Sequence, residues 1–375
     1  MRVFNFLPLL PAVLANPLAK RSTACNNSPD LCSKSYGEIT HLGAHDSPFL
    51  RDASTSNSVA GNQYFDTPTQ LSAGVRLVTA QVHKSNSQWR LCHSSCSLLD
   101  AGLLSDWLKK IKSWLDDNPN EVVTILLVNS DDASASELNT EFTTANITDY
   151  AYKPDSQSSA PTSWPTLQTM IDDDKRLVVF VASLTTSDSY PYLMDEFTFL
   201  WENPYDTSSA SNFSCQVDRP SAYSGNAASA NAANLLPLMN HFLYSSDLAK
   251  FDIEYPNASY IGTTNAASGG TGNLGDSASD CKKEWSGRQP AFILVDFFNR
   301  GPAIDTVDSL NNVTDPVGRK SVSEASTNSA SSGSSVFKGL VELADSAKAG
   351  TSVSMGNWIW AGGNWGNLLG GGISF

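Results

Sequence analysis

Proton-transfer groups in this chain are few and clustered. The stretch "EITHLGAHDSPFLRD" (38–52) holds His41, His45 and Asp46, although the whole chain has only five histidines. A further histidine, His93, lies in "WRLCHSSC", and Asp296 lies inside the apolar run "FILVDFFNRG". An ionisable group within such a run is unfavourable unless a partner compensates it. Imidazole titrates near neutral pH, so one ring can take a proton while another gives one, each oriented by a carboxylate that fixes its tautomer. His45, His93, Asp46 and Asp296 are therefore the candidate acid–base set. His41 reads as a hydrogen-bonded structural residue, His241 as structural or exposed, and His83 as either pocket-lining or outside the site.

The surrounding pattern shows how such groups could be positioned. "EITHLGAH", "VRLVTAQVH", "EVVTILLVNS", "RLVVFVAS" and "AFILVDFFN" are near-continuous apolar runs, as expected of buried parallel strands. "LLSDWLKKIKSWLDDNP" places Leu104, Trp107, Leu108, Ile111, Trp114 and Leu115 on one helical face, with Pro119 closing it. "WPTLQTMIDDDK" and "AANLLPLMNHFLY" are further helix candidates, the second interrupted by Pro237. This alternation predicts an α/β fold, a TIM-type (β/α) barrel of about eight strands, five of them evident. Catalytic groups in such a barrel sit at the C-terminal strand ends, where His45, Asp46 and His93 fall. Residues 184–230 and 256–290 read as irregular insertions that distort the barrel, stapled together by Cys215 and Cys281.

Export is expected from several features. Residues 1–15 read as a signal peptide, and 16–21 as a short propeptide ending at the dibasic Lys20-Arg21. Residues 22–318 form the barrel domain, and 319–375 a Ser/Gly-rich low-complexity tail, exposed and with three tryptophans among glycines. That tail lacks the continuous apolar end of a GPI signal, so no GPI anchor is expected. Six cysteines suit disulfides, with Cys25–Cys32, Cys92–Cys96 and Cys215–Cys281 the simplest pairing among many. Sequons at Asn26, Asn146, Asn212, Asn257 and Asn312 suit a glycoprotein, secreted and extracellular or cell-wall associated. A net charge of -14 argues against nucleic acid as a partner, and no second apolar segment is long enough to span a membrane. A monomer without metal or other cofactor is expected.

The elements "THLGAHDS", "GVR", "LCHSSC", "NPNEVVTILLVN" and "FILVDFFN", in this order between Thr40 and Arg300, resemble the phosphatidylinositol-specific phospholipase C X-domain superfamily. The resemblance is strongest to its secreted fungal PLC-like phosphodiesterases. It implies that His45 is the general base toward an inositol hydroxyl, held by Asp296, and that His93 is the general acid, supported by Asp46. The implied partner is a phosphoinositide or GPI-type headgroup at a membrane surface. One departure stands out. Where the family places charged residues on the second strand, this chain has Thr79 and Gln81, which supply neither a cation nor hard anionic ligands. Arg76 and Lys84 are the candidate substitutes, Gln81 can donate a neutral hydrogen bond, and Asn129 is a candidate border residue. A weak hydrolase and a barrel retained as a secreted binding protein both fit. A metal-dependent phosphodiesterase or sphingomyelinase-D-like enzyme fits least.

Overall fold

The computed structural model describes residues 24–245 and 255–324. The expected signal peptide and propeptide, and all but the first residues of the expected tail, lie outside the described residues. Eight strands succeed one another along the chain: β1 (His41–Ala44), β2 (Leu77–Ser85), β3 (Val123–Asn129), β4 (Leu177–Ala182), β5 (Leu193–Asp195), β6 (Leu200–Glu202), β7 (Leu236–Asn240) and β8 (Phe292–Val295). Their spatial order is β5-β4-β3-β2-β1-β8-β7-β6, with every neighbouring pair parallel. Chain order thus becomes ring order, as in a TIM-type barrel, and the ring is open where β5 and β6 end the sheet. Its curl is visible inside. Phe180 on β4 and Phe292 on β8 lie four strands apart along the sheet, yet their ring centroids are 6.3 Å apart.

Apolar side chains from the strands and from the surrounding helices make one core. In the helix Leu104–Asp117, the six apolar residues of the predicted face are buried. Each such side chain contributes about 1.5–3 kcal/mol. The two indoles also donate outward to the preceding helix, Trp107 to Thr67 at 2.7 Å and Trp114 to Ser72 at 2.9 Å. At the N-terminal end of the strands, Tyr36, Trp164, Phe180, Phe199 and Phe292 form an aromatic plug. Gly37 makes that plug possible, because a Cβ there would stand 2.9 Å from Trp164 Cδ1.

Two expectations need correction. The stretch 232–244 is not a helix, since Leu236–Asn240 forms β7, wholly buried between β6 and β8. Pro237 disfavours a helix interior, and at the second position of a strand it removes a single N–H from the ladder. The stretches 184–230 and 256–290 are not mere insertions either. They contain β5, β6 and the helix Leu274–Glu284, the strands being only three residues each and too short to carry a period. Cys215–Cys281 does bridge the two stretches, and Cys25–Cys32 and Cys92–Cys96 are formed. Beyond residue 318 the chain still holds to the barrel, through the Arg319 pair with Asp308 and the bond from Asn299 to Ser323.

His41 and His241 are both buried structural residues, bonded through Nε2 to the carbonyls of Tyr36 and Thr264. Burial pushes each imidazole down to about 4. Such groups leave stability intact above their unfolded value near 6.5 and remove it as pH falls toward the folded value. Unfolding free energy from urea titrations should therefore drop between about pH 6.5 and 4. The drop should be smaller in a His241→Gln variant, and equal slopes would contradict the neutral, buried state.

Candidate active site

Parallel pairing brings the candidate acid–base residues together at the C-terminal strand ends. Ala44 is in register with Val295 on one side and Val78 on the other. The next residues, His45, Asp296 and Thr79, consequently emerge side by side. The backbone continues this pattern, with His45 N donating to Val295 O at 2.9 Å and Asp46 N donating to Thr79 Oγ1 at 2.8 Å. Asp46 takes a positive φ of 48°, and Ser94 and Phe297, which follow His93 and Asp296, take 62° and 43°. Left-handed residues of this kind turn each chain sharply out of its strand direction, and they concentrate at functional sites.

His45 is fixed on three sides. Its Nδ1 lies 2.9 Å from Asp296 Oδ1, and Asn62 Nδ2 donates to the same carboxylate oxygen at 3.0 Å. Gln63 donates to the carbonyls of His45 and Val295, clamping the ends of β1 and β8. The ring of Phe242, just past β7, stacks on the imidazole with centroids 3.7 Å apart and planes 4° apart. With a carboxylate opposite Nδ1, that nitrogen carries the proton and Nε2 keeps its lone pair.

His93 arrives by a different route. Beyond the barrel, β2 folds back into a hairpin with Gln88–Cys92, which pairs in turn with Asp100–Leu103. His93 directly follows that hairpin strand, inside the loop closed by Cys92–Cys96. Ser94 Oγ lies 3.0 Å from its Nδ1, and Ser94 N donates to Gln81 Oε1 at 2.8 Å. The two Nε2 atoms converge on Asp46, whose Oδ2 is 3.7 Å from each. That distance exceeds a hydrogen bond, so Asp46 acts on both rings through its charge. Gln81 Nε2 donates to the same Oδ2 at 2.7 Å.

These surroundings drive the two imidazoles apart. Burial disfavours a charged His45, but Asp46 and Asp296 together outweigh it and its proton affinity is raised. At His93 burial prevails over Asp46, helped by repulsion from His45, and the proton affinity is lowered.

The structure thus gathers His45, Asp46, Thr79, Gln81, His93 and Asp296, and leaves the other candidates elsewhere. Arg76 lies at the opposite, N-terminal end of β2, with Nε donating to Glu121 at 2.9 Å and the remaining donors on Leu71, Val75 and Asn27. Lys84 sits on the other face of β2 from Gln81 by strand alternation, paired with Glu137 at 2.9 Å. Neither can neutralise a phosphoryl group at the histidines. Asn129 exchanges two hydrogen bonds with Ala133 and shapes its own loop, and Ser134 caps the helix that follows. His83 pairs with Asp131 at 3.3 Å. Of the sequons, Asn26 is 5% exposed and accepts from Val122 N, so the fold leaves no room for a glycan there. Asn146, Asn212 and Asn312 are exposed. Asn62, Gln63 and Phe242 escape sequence reasoning, since amides in a polar loop and one phenyl in an apolar run look ordinary until the strands meet.

Calcium does not fit this constellation. Thr79 is spent on Asp46 N and Gln81 is neutral and doubly bonded, so β2 offers no hard anionic ligand. Among the described residues, Cys92, Cys96 and Asp100 lie close enough to share a metal, but their two sulfurs are joined in a disulfide. A cavity of about 430 Å³, lined by Glu38, Trp164 and Arg288, opens at the N-terminal end of the barrel, away from the histidines.

The PI-PLC X 1 family model matches residues 31–311, and the chain belongs to that family. An "Uncharacterized secreted protein" of Arthroderma benhamiae is 37% identical over 303 residues, covering 80% of this chain and 66% of the relative. The "PI-PLC X domain-containing protein 1" of the same fungus is 35% identical, covering 77% and 90%. Among solved structures, the phosphatidylinositol-specific phospholipase C of Listeria monocytogenes has a TM-score of 0.47 at 14% identity, covering 76% of this chain and 95% of its own. The Staphylococcus aureus enzyme reaches 0.49 at 15% identity, covering 80% and 99%.

Gln81 holds both the buried Asp46 and the half-buried His93 loop, so Gln81→Leu removes a partner from each. A loss of about 1–3 kcal/mol in unfolding free energy is expected. Unchanged stability would show that these bonds are not made in solution.

Proposed function

We propose that this protein is a secreted phosphoric diester hydrolase of the phosphatidylinositol-specific phospholipase C type. Its substrate is an inositol phospholipid or a GPI-like phosphodiester at a membrane surface. The supporting observation is the convergence of the His45 and His93 Nε2 atoms on the Asp46 carboxylate, with Asp296 behind His45. Membership of the X-domain family and the secreted description of the Arthroderma relative are consistent with it. Three disulfides suit an oxidising compartment. Among the described residues no helix is long and apolar enough to cross a membrane.

In this reading His45 Nε2 removes the proton of the inositol 2-hydroxyl, whose oxygen attacks phosphorus. His93 Nε2–H protonates the departing glycerol oxygen as the phosphorus–oxygen bond breaks. Asp296 stabilises the His45 imidazolium that forms. The resting charges run the other way, since His45 holds a proton more tightly than His93. A phosphodiester anion bound beside the two rings adds negative charge near His93 and favours its protonated form. The reading therefore requires the substrate itself to complete the acid.

A second reading, a binding protein that retains the barrel with little turnover, is favoured by one observation. Gln81 is tied at both ends of its amide within the protein and Thr79 is neutral, so β2 presents no charged donor to a phosphoryl group. Loss of one such donor lowers rates by about 10²–10³.

Turnover of a soluble phosphatidylinositol analogue should be slow, unaffected by chelator, and reduced about 10²–10⁴-fold by either His45→Ala or His93→Ala. Turnover that survives both substitutions would refute the mechanism. The pH profile of kcat/KM should be a bell whose acid limb lies below the usual histidine value, set by His93, and whose alkaline limb lies above it, set by His45. Asp296→Asn removes one of the charges that raise His45, so the alkaline limb should move to lower pH. An unmoved limb would remove Asp296 from its role.

A further inference from the structure

The loop after β1 carries a cation that the acid–base pair does not use. Arg51 N donates to Gln63 O at 2.7 Å, and the Gln63 side chain grips the ends of β1 and β8. This short ladder fixes Arg51 at the catalytic end of the β1–β8 seam. Its guanidinium carbon lies 4.9 Å from the ring centroid of Phe297, the residue that follows Asp296. Tyr64 stacks on the same phenyl, with centroids 4.5 Å apart.

Phe297 is held in an unfavourable conformation to make this wall. A φ of 43° is rare for a bulky residue. Asn62 O accepts from Phe297 N at 2.8 Å, and Asn265 Nδ2 donates to the carbonyls of Asp296 and Phe297. Asn62 and Asn265, which bond to Asp296, thus also hold the backbone that carries the ring beneath Arg51.

The guanidinium itself is under-used. Nη2 donates to the carbonyl of Val59, and Nε is buried without an acceptor. Arg76, Arg176, Arg219 and Arg319 each pair with a carboxylate, whereas Arg51 has none within ion-pair distance among the described residues. Burial lowers its proton affinity, and Tyr64, Asp296 and Tyr255 offset this from longer range. Unpaired buried donors on a charged group are costly unless something fills them. A planar guanidinium is well matched to phosphate oxygens.

We propose that Arg51 is an anion-binding residue of this site, whose guanidinium, unpaired with any carboxylate among the described residues, takes a phosphate-bearing headgroup beside the Phe297–Tyr64 wall. It supplies from the first loop the positive charge that Thr79 and Gln81 withhold on β2. The identity of the headgroup rests on the hydrolase reading, whereas the anion binding does not require turnover.

Calorimetric titration of myo-inositol 1-phosphate, inorganic phosphate and neutral myo-inositol tests this, alongside turnover of a soluble phosphatidylinositol analogue. Arg51→Gln should weaken inositol phosphate binding roughly 10- to 100-fold and leave myo-inositol unchanged. Comparable binding of inorganic phosphate would mean that the phosphoryl group alone is recognised, and tighter binding of inositol phosphate would mean that the headgroup is. Arg51→Met keeps the stem over Phe297 and covers the case in which the Gln variant does not fold. Near-wild-type affinity in either folded variant, or no phosphate binding by the wild type, overturns the proposal. Turnover with unchanged binding in Arg51→Gln would remove Arg51 but keep the hydrolase. Arg51-dependent binding without turnover would keep Arg51 and remove the hydrolase.

Discussion

The register of β1 between β2 and β8 is the constraint from which the site follows. Ala44 pairs with Val78 and Val295 at once, so the next residue of each strand leaves the barrel at the same height. A slip of one residue would turn His45 to the other face of the sheet and separate it from Asp296. The packing around Gly43 opposes that slip, because a Cβ there would stand 2.6 Å from Leu294 Cδ2 and 3.0 Å from Leu77 Cδ2. Two leucines therefore pack over a glycine where the three strands meet, and the C-terminal strand ends inherit their alignment.

Above that level the polar groups form one connected network. Asp296 is shared by His45 and Asn62, Asp46 by Gln81 and the two Nε2 edges, and Gln81 by Asp46 and Ser94. Buried carboxylates are tolerable here because each finds donors close by. Two carboxylates this close suit a proton-transfer pair but oppose an approaching phosphate. A cation placed at the edge of the network, and not inside it, resolves that conflict without displacing Gln81. Arg51 stands in such a position.

The hairpin that carries His93 shows how a barrel can reach beyond its own strand ends. Its disulfide spans four residues, a loop short enough that the entropic stabilisation is small. Its main effect is directional, since it closes the turn in which His93 faces Asp46 and Ser94 meets Gln81. The pair of imidazoles is thus assembled from one residue on the barrel and one on a stapled excursion.

Much of this was legible in the residues themselves. Strands rich in Val, Ile and Leu, the amphipathic helix at 104–117 and the sparse His and Asp at apolar-run ends each carry a local signature, because burial on both faces or on one stripe dictates residue type. What sequence could not decide was side-chain direction and partnership. Arg76 and Lys84 were credible cations until strand polarity sent one to the far end and alternation turned the other away, while β5 and β6 were too short to announce themselves. Leu236–Asn240 looked helical because a short apolar run has no period of its own, and only neighbours on both sides made it a strand. Asn62, Gln63, Phe242 and Arg51 became significant through residues far away in the chain, since a hydrogen bond or a ring stack between distant segments leaves no mark on either one alone.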